Sequence, residues 1–347
     1  MIILAIETSC DETAVAVMKD GRITLSSEVF SQADMHAMYG GVVPEIASRN
    51  HAAAIGRLAE LAVKNAGIEK SDIDAVAVTY APGLIGALLV GVNFAKGLAM
   101  ALDVPLIPVH HIRGHIAANY IAYPELKPPF LCAVISGGNS IIADVRGYTD
   151  ISIVGRSRDD AAGECFDKAA RVLGLGYPGG PALDKLAQTG DGTRFALPRP
   201  TIEGSSYDMS FSGLKTAVVN IVHNAKQKSG EVPDEALPDM DSLDKASLAA
   251  SLTHAISDIL VSRVISAAAE FRREKIVVAG GVAANTRIRA DLIKAAETAG
   301  RTLFIPPLKL CGDNAAMIGC QGYYEYLAGV RAGMDLNAYA TMDADDL

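Results

Sequence analysis

Tryptophan is absent from this 347-residue chain, and aromatic residues make up only 5% of it. With so few large rings the core has to be built from Ala, Val, Ile and Leu, as in α/β proteins with tightly packed parallel strands. Cysteine is scarce too: five are scattered, none forms CxxC, and the odd total fits reduced thiols in the cytosol. No long apolar run is clean. The most apolar window, "LIGALLVGVNFAKGLAMAL", is interrupted by Asn93 and Lys96 and thinned by glycines, so a buried helix is expected and no membrane span. The opening "MIILAIETSCDE" has no basic start and turns acidic almost at once, so no signal peptide is expected. A dense basic run is also missing. Arg49, Lys185, Arg194, Arg199, Lys215, Arg287 and Arg289 are spread along a chain of net charge −9. Bulk electrostatics therefore oppose binding to a polyanion, and a local basic groove or a partner would have to supply the attraction. The segments "RFALPRP" and "SFSGLKT" are candidate walls for such a groove.

What is present is a globular balance, half hydrophobic and one-fifth charged, in a chain long enough for two lobes. The chain also repeats its own plan. "IILAIETSC-DET-AVAVMKD-GR-ITLSSEVF" reads as three strands, with Asp20-Gly21 as a tight turn, and "FLCAVISGG-NS-IIADVRG-YTD-ISIVGRS" has the same order. Later, "DIDAVAVTYAPGLIGALLVGVNFAKGLAMALDVPLIPVHHIRGHIAA" and "REKIVVAGGVAANTRIRADLIKAAETAGRTLFIPPLKLCGDNAAMIG" both read as strand, glycine loop, helix, strand and helix start. The expectation is a duplicated βββαβα α/β fold. "ELKPP" at 125–129 marks the boundary between a first lobe, 1–128, and a second, 129–319, with a C-terminal helix at about 320–347 returning to the first. The polar stretch 227–244 reads as a surface excursion without chemistry.

The duplication bears on "HIRGH". Aligning the halves sets "VHHIRGH" against "PPLKLCGD", so His111 and His115 face Asp313 across a cleft as a divalent-metal set suited to Fe²⁺ or Zn²⁺. A zinc protease would need Glu directly after the first histidine, and Ile112 stands there. The loop "ETSCDET" offers backbone N–H groups and hydroxyls to a phosphate, with Asp11 to hold a cation or take a proton; solvated turn residues are the bland alternative. "SGGNS" is its counterpart, and two facing loops would make a phosphate clamp. In "DDAAGECFDKAARVLGLGYPGGPALDKLA", Asp167 and Asp184 flank a helix break and suit ribose hydroxyls. In "AGGVAANTRIR" a strand ends in Gly-Gly before a helix, where adenine or phosphate could rest beside Asn285.

Taken together, "ETSCDETAVAV", "GGVVPEIASRNH", "APGLIGALLVGVNFAKGLA", "VHHIRGH", "DDAAGECFDKAARVLGLGYPGGP", "SFSGLKTA", "GGVAAN" and "CGDNAAMIG" resemble the universal tRNA threonylcarbamoyladenosine transferase family, once described as O-sialoglycoprotein endopeptidases. The match runs in order through nearly the whole chain. It implies the two-lobed fold of actin, Hsp70 and sugar kinases, and transfer of threonylcarbamoyl from threonylcarbamoyl-AMP to N6 of adenosine 37 in tRNAs reading codons that begin with A. By position, His111, His115 and Asp313 resemble the family's metal ligands, with iron the usual ion, Zn²⁺ an alternative and Mg²⁺ a companion of the nucleotide. Val134, Ile135, Ser136, Gly137 and Gly138 resemble the donor-binding loop. Asp167, Gly180, Asp184 and Asn285 resemble the residues that hold the adenylate, and Asp11 and Glu12 the acidic loop implicated in turnover. Asn139 departs from the histidine usual in bacterial members, and Val134 from the tyrosine of archaeal ones. The implied partners are tRNA, and in bacteria an inactive paralogue and a P-loop ATPase; archaea and eukaryotes use a kinase and small subunits. The expected compartment is the cytoplasm. A sugar- or acetate-kinase-like phosphotransferase on this fold has no need of a His/His/Asp set, and a scaffold paralogue would be expected to have lost it.

Overall fold

A computed structural model describes residues 1–228 and 244–345; the excursion expected at 227–244 lies almost wholly outside them. Each half of the chain builds one five-stranded sheet. The first contains β1 (Ile2–Glu7), β2 (Glu12–Lys19), β3 (Ile23–Ser31), β4 (Ala75–Ala81) and β5 (Leu106–His110), in the order β3-β2-β1-β4-β5. The second contains β6 (Phe130–Ile135), β7 (Ser140–Val145), β8 (Ile151–Arg156), β9 (Lys275–Ala279) and β10 (Thr302–Phe304), in the order β10-β9-β6-β7-β8. In both, the first three strands are antiparallel and the last two join parallel to the first. The duplicated α/β plan expected from the two sequence echoes is the plan observed. Asp20 and Gly21 both have positive φ, 51° and 75°, left-handed backbone that turns the chain within the three-residue loop between Lys19 and Ile23.

The helices are α1 (Ala33–Ala37), α2 (Pro44–Ala66), α3 (Ile85–Leu102), α4 (His111–Ala122), α5 (Ala162–Val172), α6 (Gly179–Ala187), α7 (Ser212–Lys228), α8 (Lys245–Glu270), α9 (Thr286–Thr298) and α10 (Ala315–Leu327). They divide the molecule into layers. The pair α2 and α3 covers the outer face of the first sheet, and α5 to α9 pack over the outer face of the second. The pseudo-equivalent helices α4 and α10 lie between the sheets, and one apolar cluster joins them to Ile3, Ala77 and Val109 of the first sheet and to Cys132, Val134 and Val277 of the second. Strand β4, AVAVTYA, is buried along its whole length because both its faces are covered, as parallel strands require. Val76 and Val78 each contribute about 1.5–3 kcal/mol by leaving water.

Glycine makes the middle layer thin. A Cβ on Gly114 of α4 would stand 2.7 Å from Ile318 Cδ1 of α10, and one on Gly319 would stand 2.5 Å from Met18 Cγ of β2. The apolar window of α3 is buried on one face only: Ala87, Leu88, Val92 and Ala95 face the sheet, whereas Ile85, Leu89 and Met100 are exposed. By length and composition α3 and α8 could each cross a membrane, but α3 packs on β4 and α8 on β6. The C-terminal helix stops at Leu327. Beyond it the chain crosses from the first sheet to the second: Tyr339 N–H donates to the Tyr80 carbonyl, and Ile153 N–H donates to Asp345. Arg22 seats the segment between the lobes, donating to Tyr324 Oη (2.7 Å), the Pro124 carbonyl (2.6 Å) and Tyr148 Oη (3.1 Å).

Candidate active site and metal centre

Strand β5 runs without a loop into α4, so His111 is the first residue of that helix and His115 lies one turn on. His110 caps the helix: its Nδ1 accepts from Ile112 N–H, and its Nε2–H donates to the Met342 carbonyl. Burial pushes the His110 imidazole down to about 4, so it is neutral. In the other half Asp313 precedes Asn314, the cap of α10. The starts of the two pseudo-equivalent helices meet. His115 Nε2 lies 3.2 Å and His111 Nε2 3.6 Å from Asp313 Oδ1. The three ligand atoms fall within 4.8 Å of one another.

The donor set fits a cation. His115 is 1% exposed, and neither of its ring nitrogens has a hydrogen-bond partner among the described residues; the Asp313 contact lacks hydrogen-bond geometry. Donors roughly 2.1 Å from a tetrahedral ion stand about 3.4 Å apart, so small rotations close these three on one centre. His111 is held from behind. Its Nδ1–H donates to Glu7 Oε2 at 3.0 Å and lies 3.2 Å from Ser9 Oγ, which leaves Nε2 facing Asp313. Glu7 is fully buried and also accepts from Thr79 Oγ1 at 2.6 Å.

Charge bears this out. Burial would lower the His111 imidazole, but Glu7 and Asp313 outweigh it and lift it to about 9. Burial would raise Asp313, but His111 and His115 hold it at about 2; Glu7 likewise stays below its ordinary value through His111. Even without a metal, the cluster thus holds an imidazolium between two carboxylates, and a metal would take the place of its proton.

The ETSCDET loop differs from the phosphate-clamp expectation. Its hydroxyls turn inward: Thr8 donates to the Ala87 carbonyl, Ser9 lies against His111, and Thr13 donates to His51 Nδ1 at 2.7 Å. Thr8 and Thr13 have therefore spent their hydroxyl protons and cannot donate to an anion. His51, whose Nε2–H donates to the Cys10 carbonyl at 2.9 Å, pins the loop from α2. Asp11 and Glu12 remain at its tip. Burial, reinforced by Asp313 and Asp11, pushes the Glu12 carboxyl up to about 9, so in the metal-free protein it carries a proton at neutral pH.

The SGGNS loop borders a cavity of about 500 Å³ in the second lobe. Gly137, Asp167, Gly180, Asp184 and Asn285 all line it, with Phe166, Lys185, Gly281 and Leu308. Asp167 caps α6, accepting from the N–H groups of Gly179 (3.0 Å) and Gly180 (3.1 Å), and burial raises its carboxyl. Asp184 accepts from Thr286 Oγ1 at 2.8 Å, and Asn285 Oδ1 accepts from Ile288 N–H. The three polar candidates thus fix the cavity wall while bordering it. Val134 and Ile135 are buried strand residues whose side chains lie in the core; Ser136 and Asn139 close the turn beyond them. Gly138 sits in that turn, with open space where a Cβ would be. The two basic segments do not form a free cationic groove: Arg194 pairs with Asp244, Arg199 with Asp258 and Lys215 with Asp160.

The sequence profile described as tRNA N6-adenosine threonylcarbamoyltransferase matches residues 23–320. A protein of that name from Moorella thermoacetica is 50% identical over 336 residues, 97% of this chain and 95% of its own length. One from Clostridium botulinum is 48% identical over 336 residues, covering 97% and 96%. The chain belongs to the tRNA N6-adenosine threonylcarbamoyltransferase family. It is an acyltransferase of tRNA processing.

Solved structures share the actin/Hsp70/sugar-kinase-like fold at low identity. Component A of (R)-2-hydroxyglutaryl-CoA dehydratase from Acidaminococcus fermentans superposes with TM-score 0.52 at 16% identity, covering 94% of this chain and 99% of that one. Full-length HypF gives 0.60 at 13%, covering 94% and 46%.

Two residues packed against the candidate site of this threonylcarbamoyltransferase family member, Glu7 and His51, carry no distinct signal in the sequence. The one available signal for Glu7 is an acid ending an apolar strand; what gives it a role is its burial behind His111.

Proposed function

We propose that this chain transfers threonylcarbamoyl from threonylcarbamoyl-AMP to N6 of adenosine 37 of tRNA in a cleft organised by His111, His115 and Asp313. Convergence of these three from pseudo-equivalent helices carries the reading. The adenylate would lie in the cavity, its ribose toward Asp167 and Asp184 and its base near Asn285 and Gly281, where glycine lets a ligand approach the backbone. Tyr177, between the two lobes' motifs, lies within charge range of both Asp11 and Asp167, which supports one shared cleft.

The N6 amine is a weak nucleophile because its lone pair is shared with the ring. It forms a bond to the carbamoyl carbon as the bond from that carbon to the phosphate oxygen breaks. AMP is a good leaving group, so no covalent enzyme intermediate is needed. A divalent ion, Fe²⁺ in first place, held by the triad would supply Lewis-acid polarisation and orientation. Asp11 takes the amine proton; Glu12, protonated beside it in the metal-free state, is the poorer acceptor. Glu7 keeps the His111 ring aimed.

The lobe boundary belongs at 128/129. With the basic segments paired to acids, the grip on tRNA falls to partners, which for a bacterial protein are an inactive paralogue of the same fold and a P-loop ATPase, in the cytoplasm. The test is incubation of the protein and those partners with threonylcarbamoyl-AMP and unmodified tRNA, reading adenosine 37 by mass spectrometry. Wild type should modify it and His111→Ala should not; equal modification would remove the triad from the reaction.

A further inference from the structure

The two histidines of α4 are held unequally. His111 has its outer nitrogen against Glu7 and Ser9. His115, more deeply buried than His111, has no partner on Nδ1 among the described residues. If Nε2 faces an ion, Nδ1 carries the proton, and a buried N–H left unmade costs about 1–3 kcal/mol. Metal-bound histidines almost always donate that outer N–H to something.

One turn further along the helix, Asn119 is fully buried. Its Nδ2 donates to the Val278 carbonyl of β9 at 3.0 Å, just beyond Val277, where pairing with β10 ends. That bond fixes which way the amide points and leaves Oδ1 as the free acceptor, which has no partner among the described residues. Helical side chains lean toward the N-terminus, so residue 119 leans over residue 115. An orphan donor and an orphan acceptor therefore occupy adjacent turns of one buried helix face.

We propose that Asn119 is a positioning residue for the metal centre: its Oδ1 receives the Nδ1–H of His115, directly or through one shared water, while its Nδ2 ties that histidine's helix to β9. The inference rests on reading His111, His115 and Asp313 as metal ligands. It also joins two parts of the cleft, because β9 runs directly into Gly280, Gly281 and Asn285 at the donor cavity.

The experiment measures zinc dissociation constants of the full-length protein by chelator competition for wild type, His115→Ala, Asn119→Ala and Asn119→Asp, with thermal melting alongside. His115→Ala should lose the site; if it binds zinc like wild type, the ligand reading itself fails. With that control met, Asn119→Ala should weaken zinc about tenfold or more. Asn119→Asp keeps the acceptor and loses the Val278 bond, so it should bind zinc as tightly as wild type or tighter, even if its melting temperature falls. Wild-type affinity in Asn119→Ala overturns the proposal. So does Asn119→Asp binding zinc more weakly than wild type, a result that also decides the matter should the alanine variant not fold.

Discussion

The Glu7 carboxylate sits 3.0 Å behind Nδ1 of His111, on the side of the ring away from Asp313. That fixes the tautomer, leaving Nε2 free to bind a cation, and makes the ring more basic. Glu7→Gln keeps the shape and removes the charge. It should weaken metal binding about 10- to 100-fold in a chelator competition. Unchanged affinity would mean that Glu7 serves only the fold.

Glu12 should report itself through pH. Its carboxyl is raised from 4.5 to about 9 in the folded metal-free protein, so the fold retains a proton that the unfolded chain releases. Its contribution to stability is whole below pH 4.5 and is lost as pH climbs toward 9. Glu12→Gln should therefore match wild type near pH 5 and exceed it by about 1 kcal/mol or more near pH 8. Melting of the metal-free proteins across that range checks the sign; a constant gap would not fit.

Two cavity glycines should behave oppositely. A Cβ on Gly281 meets nothing within 4 Å, whereas one on Gly163 would stand 2.5 Å from the Ser136 carbonyl oxygen and 2.7 Å from Gly137 Cα. Gly281→Ala should melt within about 0.5 kcal/mol of wild type yet bind AMP more weakly in calorimetry. Gly163→Ala should lose about 1–3 kcal/mol of stability.

His51 is neutral, kept so by burial, and bonds both Thr13 and the Cys10 carbonyl. His51→Phe leaves both unpaired and should cost about 1–3 kcal/mol. Because the loop carrying Asp11 loosens while the ligands stay, the transfer rate should fall with metal content unchanged. Loss of metal in step with rate would point to a wider collapse.

The sheets could be read from the chain because hairpin strands announce themselves locally: Asp20-Gly21 between apolar runs, and the same order again from Phe130. The His111–His115–Asp313 set was legible through that repetition, since equal topology brings equal helix starts together. Glu7 and the inward-turned Thr8, Ser9 and Thr13 were not. An acid or hydroxyl in a polar loop looks the same whether it faces water or a buried ring, and only the approach of α2, α3 and α4 decides it. The cations of 194–216 looked free for the same reason; their acids come from residues 160, 244 and 258.

Most direct is anomalous diffraction from crystals of the full-length protein loaded with iron or zinc. One peak should stand roughly 2.0–2.2 Å from Nε2 of His111, Nε2 of His115 and a carboxylate oxygen of Asp313. Metal bound elsewhere, or none with the three side chains splayed apart, would contradict the account.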